Sequence, residues 1–161
     1  MRAMFTRAEH VLRPLTPDDQ ALLWEMVYQA LSSPGSDAPD REIVHRPEYA
    51  RYVEGWGGPN DQGFVAHDKD EGALLGAVWL RAPLEIKPGE PAPELAFVVK
   101  SGHRQHGIGA SLLTQMVRAN PQMTSISLKV GPGSPAVRLL ERFGFEITEQ
   151  SDQSVVLHRA I

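Results

Sequence analysis

The chain has 161 residues, 42% of them hydrophobic and 22% charged, with a net charge of −4 and no cysteine. That balance excludes a disordered chain, a coiled coil and collagen. The missing cysteines remove disulfides, thiolate metal sites and cysteine nucleophiles together and fit a reducing cytoplasm, the expected location. The length suits one domain over residues 1–161. No apolar run reaches the roughly eighteen residues that span a bilayer, and Met1–His10 lacks the apolar stretch of a secretory signal. Sixteen basic residues against twenty acidic ones argue against phosphate-backbone binding. Neither a membrane nor a nucleic acid is therefore expected as a partner.

Taken in chain order, His10-Val-Leu-Arg-Pro-Leu15 predicts a short strand, with Pro14 at an edge or strand end. Thr16-Pro-Asp-Asp19 opens a helix: Thr16 caps, Pro17 fits the first turn, and two carboxylates face the positive helix end. Leu23, Met26, Val27, Ala30 and Leu31 recur at helical spacing. Residues 32–45 are rich in Ser, Pro, Gly and Asp and predict a loop. Its acids, Asp37, Asp40 and Glu42, read first as solvated, with attraction of a cation as the second reading. Arg46-Pro47-Glu48 opens a second helix carrying Tyr49, Tyr52, Val53 and Trp56 on one face, stopped by Gly55, Gly57 and Gly58.

Gly63–Ala66 and Ala73–Leu80 predict two strands joined by the polar turn Asp68–Gly72. Residues 83–93 hold four prolines and predict an irregular excursion. Glu94-Leu-Ala-Phe-Val-Val99, the most apolar run, predicts a central buried strand. A loop from Lys100 to Gly109 leads into a helix over 108–119, with Ile108, Leu112, Leu113, Met116 and Ala119 in register. Ser125–Val130 alternates as a strand. Ser134 caps a last helix with Pro135 at its first position and Ala136, Leu139, Leu140 and Phe143 on its apolar face. Phe145–Thr148 and Ser154–His158 close as an antiparallel pair. This alternation predicts an α/β fold, a single three-layer α/β/α sandwich with a mixed sheet.

The chemistry concentrates in Arg104-Gln-His-Gly-Ile-Gly109, between a strand and an amphipathic helix. Gly107 and Gly109 let the backbone approach a ligand closely. The first amides of the helix lack intrahelical partners and sit at a positive helix end, a ready site for phosphate or pyrophosphate. Arg104 and His106 would add charge. The plain alternative is a Gly-rich strand-to-helix turn. The nucleotide P-loop pattern is missing, and the dinucleotide pattern fails because Leu112 replaces its third glycine. Six histidines are scattered with no pair at ligand spacing, so no metal is expected.

Arg104-Gln-His-Gly-Ile-Gly109 resembles the Arg/Gln-x-x-Gly-x-Gly/Ala signature of the GCN5-related N-acetyltransferase superfamily. Glu94–Leu113 resembles that superfamily's strand–loop–helix core, and Gly144-Phe145 after Ala136-x-x-Leu139 resembles its final helix and exit. The order of elements matches over nearly the whole chain. The resemblance implies a sheet splayed between the Glu94–Val99 and Ser125–Val130 strands, with acetyl-CoA as cosubstrate in the gap. Main-chain groups of Phe97, Val98 and Val99 would hold the pantetheine arm, and an amide near Val99 would polarise the acetyl carbonyl. Arg104, Gln105, His106, Gly107, Ile108, Gly109 and Ala110 would form the cofactor loop, Gln105–Ala110 giving amides to the pyrophosphate. A primary amine, on a small molecule or a peptide N-terminus, would attack the thioester directly in a ternary complex.

Glu94 is the candidate general base, favoured by desolvation beside an apolar strand; a solvated strand-end carboxylate is the alternative. His103 and His106 flank the loop as phosphate contacts or solvated side chains. Trp24, Tyr28, Tyr49, Tyr52 and Trp56 read mainly as packing, with Tyr49 or Tyr52 as a proton donor or substrate wall. Two departures stand out: Gly133 replaces the superfamily's frequent Asn, and Leu140 replaces the Tyr that commonly protonates the leaving thiolate. They keep open a catalytically degenerate CoA-binding sensor or interaction module. Val155–His158 is apolar enough for a homodimer through the C-terminal strands, as in many relatives.

Overall fold

A computed structural model describes residues 10–32, 37–100 and 107–160. Strands β1 (His10–Pro14), β2 (Gln62–Asp68), β3 (Leu74–Leu80) and β4 (Leu95–Val99) form an antiparallel sheet in the order β1-β2-β3-β4. Strands β5 (Ser125–Leu128), β6 (Glu146–Gln150) and β7 (Val155–His158) form a second antiparallel sheet in the order β5-β7-β6. One parallel bridge, Glu94 with Ser127, joins β4 to β5. The Ser127 amide donates to the Pro93 carbonyl at 2.9 Å. Beyond this point the strands part, so the mixed sheet is splayed.

Helices cover both faces and complete the three layers. Alternation along each strand decides which residue meets which layer. Val65, Ala77 and Trp79 face helix α1 (Gln20–Leu31), packing with Leu23, Met26 and Val27. Ala66, Val78, Leu80 and Leu95 face helix α3 (Ile108–Ala119), packing with Leu112, Leu113 and Met116. Helix α4 (Pro135–Arg142) adds Ala136, Val137 and Leu140 to the same side. No helix among the described residues is long and apolar enough to cross a membrane.

Several boundaries differ from expectation. The expected helix over Arg46–Trp56 contracts to α2 (Pro47–Ala50). The chain then continues in tight turns, with Tyr52 donating its amide to Tyr49 and Trp56 to Val53, and Gly55 at φ 78° lies inside the last of them. Residues 32–45 are not all loop: Arg41–His45 is a 3-10 helix whose first turn is capped by Asp40, its Oδ1 accepting from the Glu42 amide at 3.0 Å. So short an element carries no helical periodicity to read. Pro17–Asp19 is likewise a 3-10 turn ahead of α1, with Thr16 as its cap as expected. Asp19 stands in the first turn as expected, completing a capping box with Thr16, and is also buried and paired with Arg13. Strand β4 is apolar yet only Leu95 is fully buried, because the far edge of the strand opens on a gap.

Candidate active site

The splay between β4 and β5 makes a cleft in two connected halves, of about 440 and 450 Å³, which share Ala30, Phe97, Val98 and Val130. The register dictates what β4 offers it. Val98 pairs with Ala77 and Ala96 with Trp79, and Lys100 donates its amide to Leu75. Even-numbered main-chain groups therefore turn into β3, and those of Phe97 and Val99 turn toward the gap. What Val98 brings to the cleft is its side chain.

One half is bounded by the start of α3. Gly107, Gly109 and Ala110 line it with Leu113, and Ser134 and Leu139 face them from α4. Ser134 caps α4, its Oγ accepting from the Ala136 amide at 3.1 Å. The two glycines act differently. Gly107 sits at φ 75°, a left-handed conformation, with nothing within 4 Å of an added Cβ, so its requirement is conformational. Gly109 lies against a side chain: an added Cβ would stand 2.9 Å from Phe97 Cζ. Close approach at position 109 thus serves helix-to-strand packing. Ile108, fully buried, anchors the first turn. Arg104, Gln105 and His106, with His103, lie outside the described residues. Leu140 is fully buried in the core, and Leu139 is its neighbour that lines the cleft. At position 133 nothing lies within 4 Å of an added Cβ.

The other half contains Glu94. Its carboxylate is not in the apolar setting expected of it. It accepts from Arg51 Nη2 at 3.0 Å and from the Tyr52 hydroxyl. Arg51 Nη2 also lies 2.7 Å from the Tyr52 oxygen, and the guanidinium stacks 4.1 Å from the Tyr52 ring centroid. Burial and then the Glu94 hydrogen bond push the Tyr52 hydroxyl well above the ordinary tyrosine range, so it keeps its proton at neutral pH. The cluster is held from below. Trp79 Nε1 donates to the Tyr52 carbonyl at 2.9 Å, and Arg81 donates to the Glu54 carbonyl and to Asp61. Tyr49, Glu48, Leu31, Val27 and Lys129 complete the wall.

Of the aromatic residues on the first two helical segments, Tyr49 and Tyr52 line the cleft. Tyr28 and Trp56 are buried, bonded to the Pro39 and Thr16 carbonyls, and Trp24 packs against α1's core and the His45 ring. Arg51 was not legible as a site residue, because only folding brings it to a carboxylate 43 positions away.

The sequence pattern of the acetyltransferase (GNAT) family matches residues 24–145. The chain belongs to this family. The fold agrees. A GCN5-related N-acetyltransferase from Kribbella flavida superposes with a TM-score of 0.63 at 23% identity, covering 94% of this chain and 98% of its own. A structure described as histone acetyltransferase HPA2 and related acetyltransferase, from Corynebacterium glutamicum, gives 0.65 at 18% identity, covering 94% and 97%. The PaiA N-acetyltransferase of Thermoplasma acidophilum, solved in complex with coenzyme A, gives 0.58 at 15% identity, covering 95% and 99%. A search of curated protein sequences returns no match.

Proposed function

We propose that this GNAT family member transfers an acetyl group from acetyl-CoA to a primary amine by direct attack in a ternary complex. The observation that carries the reading is the continuous cleft, with the open edge of β4 and the start of α3 in one half and Glu94 in the other. A thioester carried on a long diphosphate arm suits this shape. The first amides of a helix lack intrahelical partners, and Gly107, Gly109 and Ala110 at the start of α3 line this half of the cleft. The cofactor loop also includes Arg104, Gln105 and His106 in this reading. The main chain of Phe97 and Val99 extends the β4 ladder along the arm, and an amide near Val99 polarises the acetyl carbonyl. The coenzyme A complex of the Thermoplasma relative supports the choice of donor.

Glu94 takes a proton from the substrate ammonium, and the freed nitrogen attacks the acetyl carbon. The C–N bond forms, the C–S bond breaks, and CoA leaves as a thiolate. Its ordinary pKa of about 8.5 makes it a fair leaving group without a dedicated acid. The second nitrogen proton leaves as the amide forms; one of the two protons ends on the thiol and the other in solvent. Tyr52 keeps Glu94 oriented, since its hydroxyl is committed to that carboxylate.

A second reading, a CoA-binding module without turnover, draws on α4, which presents Leu139 to the cleft and buries Leu140. Thermal unfolding with acetyl-CoA, with ATP and NAD as controls, tests both. At a hundredfold excess over its dissociation constant the ligand adds about 2.7 kcal/mol, which raises the midpoint by roughly 5–11 °C. Binding with no CoA release on any amine selects the second reading, and no shift at millimolar acetyl-CoA removes both.

A further inference from the structure

The acceptor half of the cleft states what it can hold. Its walls are largely apolar: Val27, Leu31, Tyr49, Val98 and Val130, with Trp79 beneath. Its charged groups are two carboxylates, Glu48 and Glu94, balanced by two cations, Arg51 and Lys129. A polyamine needs acids at intervals without competing cations, and this lining does not provide them. The side chain of Glu94 is 19% exposed and touches a guanidinium that is 50% exposed. Arg51 spends only Nη2 on its neighbours; Nε and Nη1 make no hydrogen bond with any described residue. The guanidinium carbon lies 4.1 Å from the Tyr52 ring centroid, and this contact with the two Nη2 bonds holds the group in place.

A carboxylate and a guanidinium side by side are the complement of an ammonium and a carboxylate on one carbon. We propose that the acceptor is a free α-amino acid with an apolar or aromatic side chain, its ammonium received by Glu94 and its carboxylate by Arg51. This rests on the acetyltransferase reading of the cleft. Arg51 then determines specificity: it offers a charged acceptor a hydrogen-bonded partner and offers little to an amine that lacks the carboxylate. The apolar wall takes the side chain, and Lys129 and Glu48 stay at the exposed rim.

The test follows CoA release from acetyl-CoA by the full chain with a thiol reagent. The acceptors are L-phenylalanine, L-leucine and L-methionine, their α-carboxamides, phenethylamine and spermidine. The expected result is a kcat/KM for the amino acids about tenfold or more above that for the carboxamides and phenethylamine, the worth of one charge-assisted hydrogen bond, with spermidine poorest. Arg51→Gln should bring the ratio of amino acid to carboxamide close to one, and Arg51→Lys, which keeps the charge and loses the fork, should leave it intermediate. The ratio is the readout because either variant also removes a bond to Glu94.

Equal turnover of phenylalanine and phenethylamine overturns the proposal. So does a ratio that neither variant moves, or a preference for spermidine. Acetyl-CoA binding with no amino acid turned over overturns the substrate class and leaves the donor site standing. A failure to bind acetyl-CoA overturns both.

Discussion

Arg13 donates to Asp19 through two nitrogens, 2.9 Å each, and the Thr16 amide donates to the same carboxylate at 2.7 Å. The Arg13 hydrogen bonds first, then the Thr16 amide, hold the Asp19 carboxyl down to about 2 against the opposing effect of burial. A depressed carboxyl contributes stability that is fully present above its unfolded value near 4 and is lost as pH falls through the folded value. The contribution is roughly 2 kcal/mol. Urea unfolding of Arg13→Gln should show a loss of part of that contribution at pH 6, since the Thr16 amide remains, and the gap from the parent should close between pH 4 and 2.

Tyr52 belongs to the same scale. Its hydroxyl is the smallest group that can be removed from the Glu94 cluster. Tyr52→Phe should lower kcat by roughly 3–10-fold, the worth of one hydrogen bond, with KM nearly unchanged, measured by steady-state CoA release. Because the raised hydroxyl keeps its proton, this difference should hold across neutral pH. In the unfolded chain Tyr52 ionises first, so its stabilising effect fades only as pH climbs above about 10.

At the scale of elements, the start of α3 and the β4–β5 junction carry the site. Gly107→Ala places a side chain in a left-handed conformation at a cost of about 1–2 kcal/mol, a fall in Tm of roughly 2–8 °C. Gly109→Ala acts on geometry instead. Its Cβ meets the far end of the Phe97 ring, which lines the cleft, so the ring must give way into the space beside β4. The dissociation constant for acetyl-CoA should rise by roughly 3–10-fold, the equivalent of about 1 kcal/mol of displaced packing, with a smaller change in Tm than at position 107. Isothermal titration beside calorimetry separates the two effects. At the junction, the Ser127 amide bonds Pro93 and not β7. Ser127→Pro would remove the one backbone bridge between the sheets among the described residues while sparing the β5–β7 ladder, and should abolish acetyl-CoA binding before it abolishes folding, as binding and far-UV circular dichroism together would show.

At the scale of the whole molecule, two apolar cores share the four-stranded sheet. Leu23 lies at the centre of one and Leu112 of the other, both fully buried. Leu→Ala at either should cost about 2–5 kcal/mol, and so about 4–20 °C in Tm. Since β2 and β3 alternate their side chains between the cores, each variant should still unfold in one calorimetric transition.

The reach of the sequence follows from the range of the forces involved. Element types, the Thr16 and Ser134 caps, α3 and the closing β6–β7 pair were legible because periodicity, capping and turn chemistry act within a few residues. The glycine signature pointed to the family because it is contiguous. Three things needed the tertiary structure. The second helix stopped after one turn because packing of Val53 and Trp56, with glycines of positive φ, outweighed its helical spacing. Strand β4 lost its expected burial because its neighbour diverges after a single bridge, which no property of β4 itself encodes. Arg51, Tyr52 and Glu94 met across more than forty positions, through Trp79 and Arg81 clamping the turn onto β3. Composition and local pattern thus determined the class of fold and the place of its glycine-rich strand-to-helix turn. The chemistry of the Glu94 cluster was decided by long-range packing, because a side chain's partner there is chosen by where the sheet parts and not by its neighbours in the chain.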